Sequence, residues 1–189
     1  MSDIFARATS INHDFISRLI TPGDKAVDAT VGNGHDTIFL ANLVGDTGKV
    51  YGFDIQDMAI ERTKNLLSAH NLSNRVLLIA DGHENIDKYI QHPVKVIMFN
   101  LGYLPGGDHG IITREETTIA ALKKSLSLLT PHGVLSVVVY SRHHGGEREK
   151  QAVESFFESI PKTEFHVVKI NHLNRLSSSP YIIIAQRND

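Results

Sequence analysis

Apolar runs rich in valine, isoleucine and phenylalanine alternate with segments of helical pattern, and this alternation restricts the possible folds more than any other feature. The runs occupy residues 25–29, 49–54, 75–80, 94–100 and 133–140. Several are apolar almost throughout, as expected of strands that are covered on both faces. The pattern therefore predicts an α/β fold, in which helices pack on both faces of a mostly parallel sheet.

Helical patterns fill the intervals between these runs, at residues 36–44, 57–70, 113–129 and 147–160. Asp57 is the predicted N-cap of the second helix, and Thr113 with Glu116 forms a predicted capping box at the third. The tail differs, because strand-like runs at 164–170 and 181–186 are joined by a polar loop without a helix. This ending predicts an antiparallel pair at the sheet edge.

The length and composition of the chain narrow the class of protein. The 189 residues suffice for one large core, so we predict a single domain over residues 1–189. No apolar run is long enough to span a bilayer, and the absence of cysteine excludes disulfides and thiolate metal ligands. We expect a soluble, cytoplasmic protein without a membrane partner. Because the net charge is −2, a nucleic-acid partner would need a local basic patch.

A glycine turn follows the first predicted strand, in the stretch VDATVGNGHDT. Gly32, Asn33 and Gly34 form the turn, and a helix begins near Asp36, as at many nucleotide sites. The third glycine of the dinucleotide fingerprint is absent. The carboxylates of Asp28 and Asp36 would repel a pyrophosphate but suit the ammonium and sulfonium groups of S-adenosylmethionine. The turn therefore favours this cofactor over NAD, although Asp28 could simply cap the turn and Asp36 could serve partly as an N-cap.

Polar residues also follow the second and third predicted strands. Asp54 ends the stretch YGFD, where its carboxylate can accept both hydroxyls of a ribose. The third strand is followed by Asp81, Gly82 and His83, which would lie beside the adenine. Ligands of open α/β sheets bind at the carboxyl ends of the strands, so these positions predict a nucleoside site.

The fourth predicted strand, VKVIMFN, breaks into LGYLPGGD and supplies candidate catalytic residues. The side-chain oxygen of Asn100 and the carbonyl of Leu101 can orient an amine for in-line methyl transfer. Tyr103 can stack on the substrate base. The stretch resembles the asparagine-x-x-tyrosine signature of amino-group methyltransferases, but Leu101 and Gly102 replace its two prolines. An ordinary glycine–proline loop is the alternative.

The chain resembles a bacterial family labelled putative rRNA methylases. The resemblance covers most of the chain and rests on DATVGNGHDTIFLA, FDIQ, FNLGYLPGGD, VVYSRHHGGEREK and SSSPYIIIA. Characterised members of that family methylate 5-aminomethyl-2-thiouridine at the wobble position of tRNA, giving the 5-methylaminomethyl form. The resemblance implies a Rossmann-like class I methyltransferase fold with a seven-stranded sheet in the order 3-2-1-4-5-7-6.

The resemblance also implies S-adenosylmethionine as cofactor. Together with the sequence patterns it predicts these cofactor-binding residues: Asp28, Gly32, Asn33, Gly34, Asp36, Thr37, Asp54, Ile55, Gln56, Asp81, Gly82, His83 and Asn100. Gly82 stands where relatives are expected to have serine, so only a backbone contact is predicted there. Asp108 and His109 are candidates for the proton acceptor by position alone.

The implied partner is the tRNA anticodon stem-loop. Arg142, His143 and His144 follow the fifth predicted strand at the same rim as the site, where they could meet phosphates. Arg175 and Tyr181, in and after the late polar loop, could reach a flipped-out base. In the alternative interpretation, Tyr181 begins a buried strand. A homodimer is compatible with the sequence, which does not define the oligomeric state.

Other functions stay open at this point. A ribosomal RNA or another amine is the main alternative substrate, since the cofactor half of the sequence does not define the methyl acceptor. A nicotinamide-dependent oxidoreductase would share the turn and Asp54, but it explains neither the paired carboxylates nor the NLGY stretch. A metal site or a non-catalytic RNA-binding module is less favoured, because only His143 and His144 cluster among the eleven histidines. We therefore predict no metal.

Overall fold

The computed structural model describes residues 3–104, 106, 110, 112–142 and 145–189. Within them, one seven-stranded sheet has the order β3-β2-β1-β4-β5-β7-β6. Its strands are β1 (Lys25–Asp28), β2 (Lys49–Phe53), β3 (Val76–Ile79), β4 (Val94–Leu101), β5 (Leu129–Val139), β6 (Phe165–Ile170) and β7 (Tyr181–Arg187). Strands β1 to β5 are parallel, whereas β7 runs antiparallel to both β5 and β6. The predicted strand order and antiparallel edge are confirmed.

Helices of the described residues flank this sheet. They are α1 (Ala8–Ser17), α2 (His35–Val44), α3 (Asp57–Ala69), α4 (Ile86–Tyr89), α5 (Glu115–Leu128) and α6 (Gly146–Glu158). The four predicted helices are present, and α1 and α4 are additional. Among the residues described, no helix has both the length and the apolar character that crossing a bilayer requires.

Two layers of core cover the two faces of the sheet. Consecutive residues of β4 alternate between them: Val96 and Met98 pack with Ile16, Leu40 and other residues of α1 to α3. Ile97 and Phe99 pack on the opposite face with side chains of α4, α5 and α6, including Ile86, Leu122 and Val153. Each fully buried side chain of this size contributes roughly 1.5–3 kcal/mol to the free energy of unfolding. Burial on both faces explains why β4 is apolar from Val96 to Phe99, the stretch that leads to Asn100.

The start of β5 and the N-cap of α3 differ from the predictions. Strand β5 begins at Leu129, four residues before the predicted start, and the ladder to β4 is irregular between Val94 and Val96. His132 has a positive φ there, which a local sequence pattern does not reveal. Helix α3 includes Asp57 as its first residue, and its N-cap, Gln56, makes no side-chain capping bond.

The predicted capping box of Thr113 and Glu116 was wrong, because the Thr113 hydroxyl bonds to Glu149 of α6 instead. The buried Glu149 carboxylate accepts hydrogen bonds from Thr113 Oγ1 and Thr118 Oγ1, both at 2.7 Å. Thr113 also exchanges bonds with Gly102, whose N–H donates to Thr113 Oγ1 at 2.9 Å and whose carbonyl accepts from Thr113 N–H at 2.8 Å. Tyr103 forms a bridge to Ile112. Gly102 and Tyr103 are therefore paired with Thr113 and Ile112, and Thr113 connects them to α6.

Candidate active site

The glycine turn after β1 lies at the carboxyl edge of the sheet and is too close to α3 for a side chain at its second glycine. Gly32 and Gly34 have φ values of +54° and +80°. A Cβ atom on Gly34 would lie 2.6 Å from the hydroxyl of the buried Thr63. Gly34 is the N-cap of α2, so the predicted N-cap role of Asp36 was wrong. Only glycine allows α2 to begin here, with its positive dipole end at the rim.

Asp54, at the end of β2, anchors this turn. Its Oδ2 accepts the N–H of Gly32 at 2.8 Å, and its Oδ1 accepts the N–H of Gln56 at 2.9 Å. Ile55, between them, has 60% of its surface exposed. The side-chain oxygen of Asn33 accepts a bond from Arg62 Nη1 at 2.6 Å. Each oxygen of the Asp54 carboxylate can still accept a hydrogen bond from a further donor, such as a ribose hydroxyl.

Asp28 and Thr37 lie beneath the turn, with no exposed surface. The Asp28 carboxylate accepts the N–H of Thr30 at 3.2 Å and the hydroxyl of Thr37 at 2.5 Å. Burial, with the nearby carboxylate of Asp36 as the next cause, raises the pKa of Asp28 to about 7. The prediction that Asp28 and Thr37 face the cofactor is corrected accordingly: both support the turn from below, as the capping alternative for Asp28 supposed.

Replacing Asp28 by asparagine should flatten the pH dependence of the free energy of unfolding. The pKa of Asp28 is about 7 in the fold against 3.8 ordinarily, so the folded state retains a proton that the unfolded chain has released. The stability from this proton is complete below about pH 4 and is lost as the pH rises through 7, by up to about 4 kcal/mol. Urea unfolding at pH 5 and pH 8 measures the difference. Asp46→Asn, at an exposed site, should keep the wild-type slope; equal slopes for all three proteins would contradict the expectation.

The end of β3 is ordered by Asp81. Its carboxylate accepts bonds from Gly82 N–H at 2.7 Å, Asn85 Nδ2 at 2.8 Å and the Tyr89 hydroxyl at 2.9 Å. The bond from Asn85 is the largest cause that lowers the pKa of Asp81. A Cβ atom on the buried Gly82 would collide with the carboxylate of Glu84. Asp81 therefore shapes the loop that follows β3.

His83, on the same loop, presents a buried acceptor. Its Nδ1 lies 3.3 Å from the carbonyl of Ala29, and burial lowers its pKa, so the ring is neutral at physiological pH. Since a carbonyl only accepts, Nδ1 carries the proton and Nε2 is an acceptor. Nε2 has no hydrogen-bond partner among the described residues. An orphaned buried acceptor of this kind indicates a ligand that donates.

Asn100, near the end of β4, is held through its backbone N–H and its side-chain NH₂ group. Its backbone N–H donates to Thr30 Oγ1 at 2.7 Å, and its Nδ2 donates to Asp36 Oδ2 at 2.6 Å. Its Oδ1 is buried and has no partner in the part of the chain that the structure describes. The side chain of Leu101 is buried, whereas Tyr103 is 44% exposed. The roles of Leu101 and Tyr103 stay predictions, and Asp108 and His109 lie outside the described residues.

His13 of α1 is a member of the site that no sequence pattern indicated. Its Nε2 lies 2.6 Å from Asp36 Oδ1, and its ring stacks on Phe39 with centroids 3.9 Å apart. His13 precedes Asp36 by 23 residues in the sequence. The start of its helix, α1, carries no capping signal, because the N-cap, Arg7, makes no side-chain capping bond. An amphipathic pattern over residues 8–17 could have revealed α1. A helix there would have been expected to cover the same face of the sheet as α2, and so to bring His13 near Asp36.

The predicted RNA-binding residues divide into two groups. Arg142 and Arg175 are exposed, and Arg142 Nε donates to Ser178 Oγ at 3.0 Å, which connects the segment after β5 to the β6–β7 loop. Tyr181 is only 4% exposed and packs in the core opposite Val139, so its ring is unavailable for stacking on a base. That prediction is corrected in favour of the buried strand start. His143 and His144 lie outside the described residues.

Comparisons with known proteins agree with this architecture. The family described as "Putative rRNA methylase" matches residues 50–186. The chain is 36% identical over 193 residues to "tRNA (mnm(5)s(2)U34)-methyltransferase, chloroplastic" of Arabidopsis thaliana, covering 97% of this chain and 70% of the relative. A solved putative rRNA-methylase of Clostridium thermocellum is 46% identical with a TM-score of 0.94, covering 97% and 98% of the two chains. A putative methyltransferase of Streptococcus mutans, solved in complex with SAH, is 38% identical with a TM-score of 0.88, covering 97% and 99%.

The sheet order, the flanking helices and the close structural matches define a Rossmann-like class I methyltransferase fold. The family match covers most of the chain. The protein belongs to the putative rRNA methylase family, as the sequence motifs indicated.

Proposed function

We propose that this protein is an S-adenosylmethionine-dependent methyltransferase that acts on the aminomethyl group of 5-aminomethyl-2-thiouridine at the wobble position of tRNA. The product is 5-methylaminomethyl-2-thiouridine. The observation that carries the proposal is the buried Asn100 Oδ1, an acceptor without a partner among the described residues, beside the glycine turn. The substrate assignment is supported by the similarity to the chloroplastic tRNA enzyme of Arabidopsis thaliana.

The residues at the strand ends fit S-adenosylmethionine. Asp54 retains acceptor capacity for the two ribose hydroxyls, and the exposed Ile55 beside it offers apolar surface to the adenine. His83 Nε2 is an acceptor suited to the exocyclic amine of adenine. The positive φ of Gly32 would let the backbone of the turn, with Asn33, approach the cofactor, and Asp36 would add negative charge near its cationic end. The bound cofactor would supply an electrophilic methyl group on a sulfonium.

The chain's task in the reaction is to align an amine. Asn100 Oδ1 accepts one N–H of the uncharged aminomethyl group, which directs the nitrogen lone pair along the line of displacement. Methyl transfer to this lone pair would leave a secondary ammonium, whose extra proton would pass to water. Tyr103, exposed near the base of the segment after β4, stacks on the uracil ring.

The RNA is held by local positive charge, because the net charge of −2 provides no general attraction. Arg142 and Arg175 are both exposed. Arg142 follows β5 and bonds to Ser178 in the β6–β7 loop, which also contains Arg175. Both arginines contact phosphates of the anticodon stem-loop. Strand pairing of Val139 with Tyr181 places both segments at the carboxyl end of β5. They therefore lie at the rim that also carries Asn100.

Mass spectrometry of tRNA nucleosides from a strain lacking the gene tests the function. We expect 5-aminomethyl-2-thiouridine to accumulate and its methylated form to disappear. The wild-type gene and Asn42→Ala, a change at an exposed asparagine in the last turn of α2, should restore the methylated nucleoside, whereas Asn100→Ala should not. The family description favours rRNA as the second candidate substrate. A normal tRNA profile with a methyl group missing from rRNA would reject the tRNA proposal and support that candidate.

A further inference from the structure

A chain of hydrogen bonds runs from α1 to the end of β4 through one carboxylate. His13 Nε2 lies 2.6 Å from Asp36 Oδ1, and Asn100 Nδ2 lies 2.6 Å from Asp36 Oδ2. The Asp36 side chain is 9% exposed, and the His13 side chain is 30% exposed. Both oxygens of Asp36 are therefore engaged, one by each neighbour, which fixes the rotation of the carboxylate.

The carboxylate determines which way the Asn100 amide faces. A carboxylate only accepts, so the amide atom 2.6 Å from it must be the NH₂ group. The opposite orientation would place two oxygens in contact without a hydrogen between them. Oδ1 is consequently directed away from Asp36, and it is the atom left without a partner among the residues described. A donor on the methyl acceptor can satisfy it.

His13 holds Asp36 in that position from the other side. By the same reasoning, its Nε2 carries the hydrogen that Asp36 Oδ1 accepts. The ring lies parallel to Phe39 of α2, with an interplanar angle of 5° and centroids 3.9 Å apart. Asp36 and Phe39 are on the same helix, so one α2 surface sets both the plane of the imidazole and its bond.

We propose that His13 is a positioning residue for methyl transfer: through Asp36 it fixes the Asn100 amide with its oxygen toward the amine. The inference rests on the proposed function, which identifies the methyl acceptor as an amine. His13 contacts neither the amine nor the transferred methyl group. Its effect is on the alignment of the reacting atoms, and a displacement of about 1 Å at such a site can cost roughly 10²-fold in rate.

Two substitutions separate the hydrogen bond of His13 from its stacking. His13→Phe keeps a ring against Phe39 but removes the donor, whereas His13→Gln removes the ring and keeps an N–H donor at a similar reach. We expect His13→Phe to lower kcat roughly 10- to 100-fold, with KM for tRNA and the Kd for S-adenosylhomocysteine within about threefold of wild type. His13→Gln should recover most of kcat. His166→Phe, the same change at an exposed site on β6, should behave as wild type.

A readout without turnover separates this inference from the proposed function. In ¹⁵N NMR spectra, the Asn100 side-chain amide, assigned by its absence in Asn100→Asp, should exchange slowly in the wild type and in His13→Gln, and faster in His13→Phe. If the wild-type enzyme fails to methylate tRNA that carries the aminomethyl nucleoside but this pattern holds, the proposed substrate is wrong and the positioning role stands. Unchanged amide exchange in His13→Phe, wild-type kcat in that variant, or equal loss of kcat in both variants would overturn the inference.

Discussion

The Asn100→Ala enzyme is expected to bind its cofactor but to transfer methyl groups very slowly, with kcat lowered roughly 10²- to 10³-fold. The substitution removes Oδ1, the acceptor that has no other partner among the described residues, and it removes the amide that occupies Asp36 Oδ2. Binding of S-adenosylhomocysteine should weaken by less than about tenfold, because Asp54, His83 and the glycine turn are retained. Single-turnover rates at saturating cofactor and calorimetric titration measure the two effects.

Asn42→Ala is the matched control for this experiment. Asn42 is an exposed asparagine of α2 whose side chain bonds only to the carbonyl of Ile38 among the described contacts. It should retain wild-type kcat and wild-type affinity. If Asn100→Ala kept a rate within a few-fold of wild type, the side-chain oxygen would not orient the amine, and the mechanism proposed for this site would be wrong.

Asp54→Ala should chiefly weaken cofactor binding, whereas Asn100→Ala should chiefly lower kcat. The carboxylate anchors the turn through Gly32 and Gln56 and is proposed to accept the ribose hydroxyls. Hydrogen bonds to a charged group contribute roughly 1.5–3 kcal/mol each, so the Kd for S-adenosylhomocysteine should rise about 10²- to 10⁴-fold. Calorimetry measures the change directly. In thermal unfolding, the ligand should stabilise the wild type but not the variant.

Two controls make that result specific. Asp46→Ala removes an exposed carboxylate whose partner is Arg75, and it should leave the Kd unchanged. NADH should not raise the unfolding temperature of the wild type, since the turn lacks the third glycine of a dinucleotide site. An Asp54→Ala protein that binds S-adenosylhomocysteine as tightly as the wild type would refute the assigned role of Asp54.

The sequence was sufficient to predict the frame of the site because parallel strands bring their carboxyl ends to one edge. The turn at Gly32 and Gly34, Asp54 after β2, His83 after β3 and Asn100 on β4 were all predicted by this rule to lie at that edge. In the structure Gly32 bonds to Asp54, while His83 and Asn100 bond to Ala29 and Thr30, the residues between β1 and the turn. These residues are close together because of the sheet topology, which the alternation of strand and helix patterns in the sequence indicates.

The orientation of individual side chains was less predictable. Strands buried on both faces are apolar throughout, so no alternation indicated that Asp28 points beneath the turn. The hydroxyl of Thr113 had two acceptable roles in sequence, and only the position of Glu149 on α6 decides between them. Tyr181 was similarly undetermined until β7 was placed between β5 and β6. These choices depend on long-range contacts, which local patterns do not contain.

The position of β1 between β2 and β4 has a consequence for when the residues at the carboxyl edge of the sheet come together during synthesis. Strand β2 follows β1 closely in sequence, but the other neighbour of β1, β4, is synthesised much later, and the bond from Asn100 to Thr30 spans 70 residues. Closing so long a segment is slow, because its chain entropy is lost before the contact forms. The nascent chain therefore cannot bring Asn100 against Thr30 until at least its first hundred residues have left the ribosome.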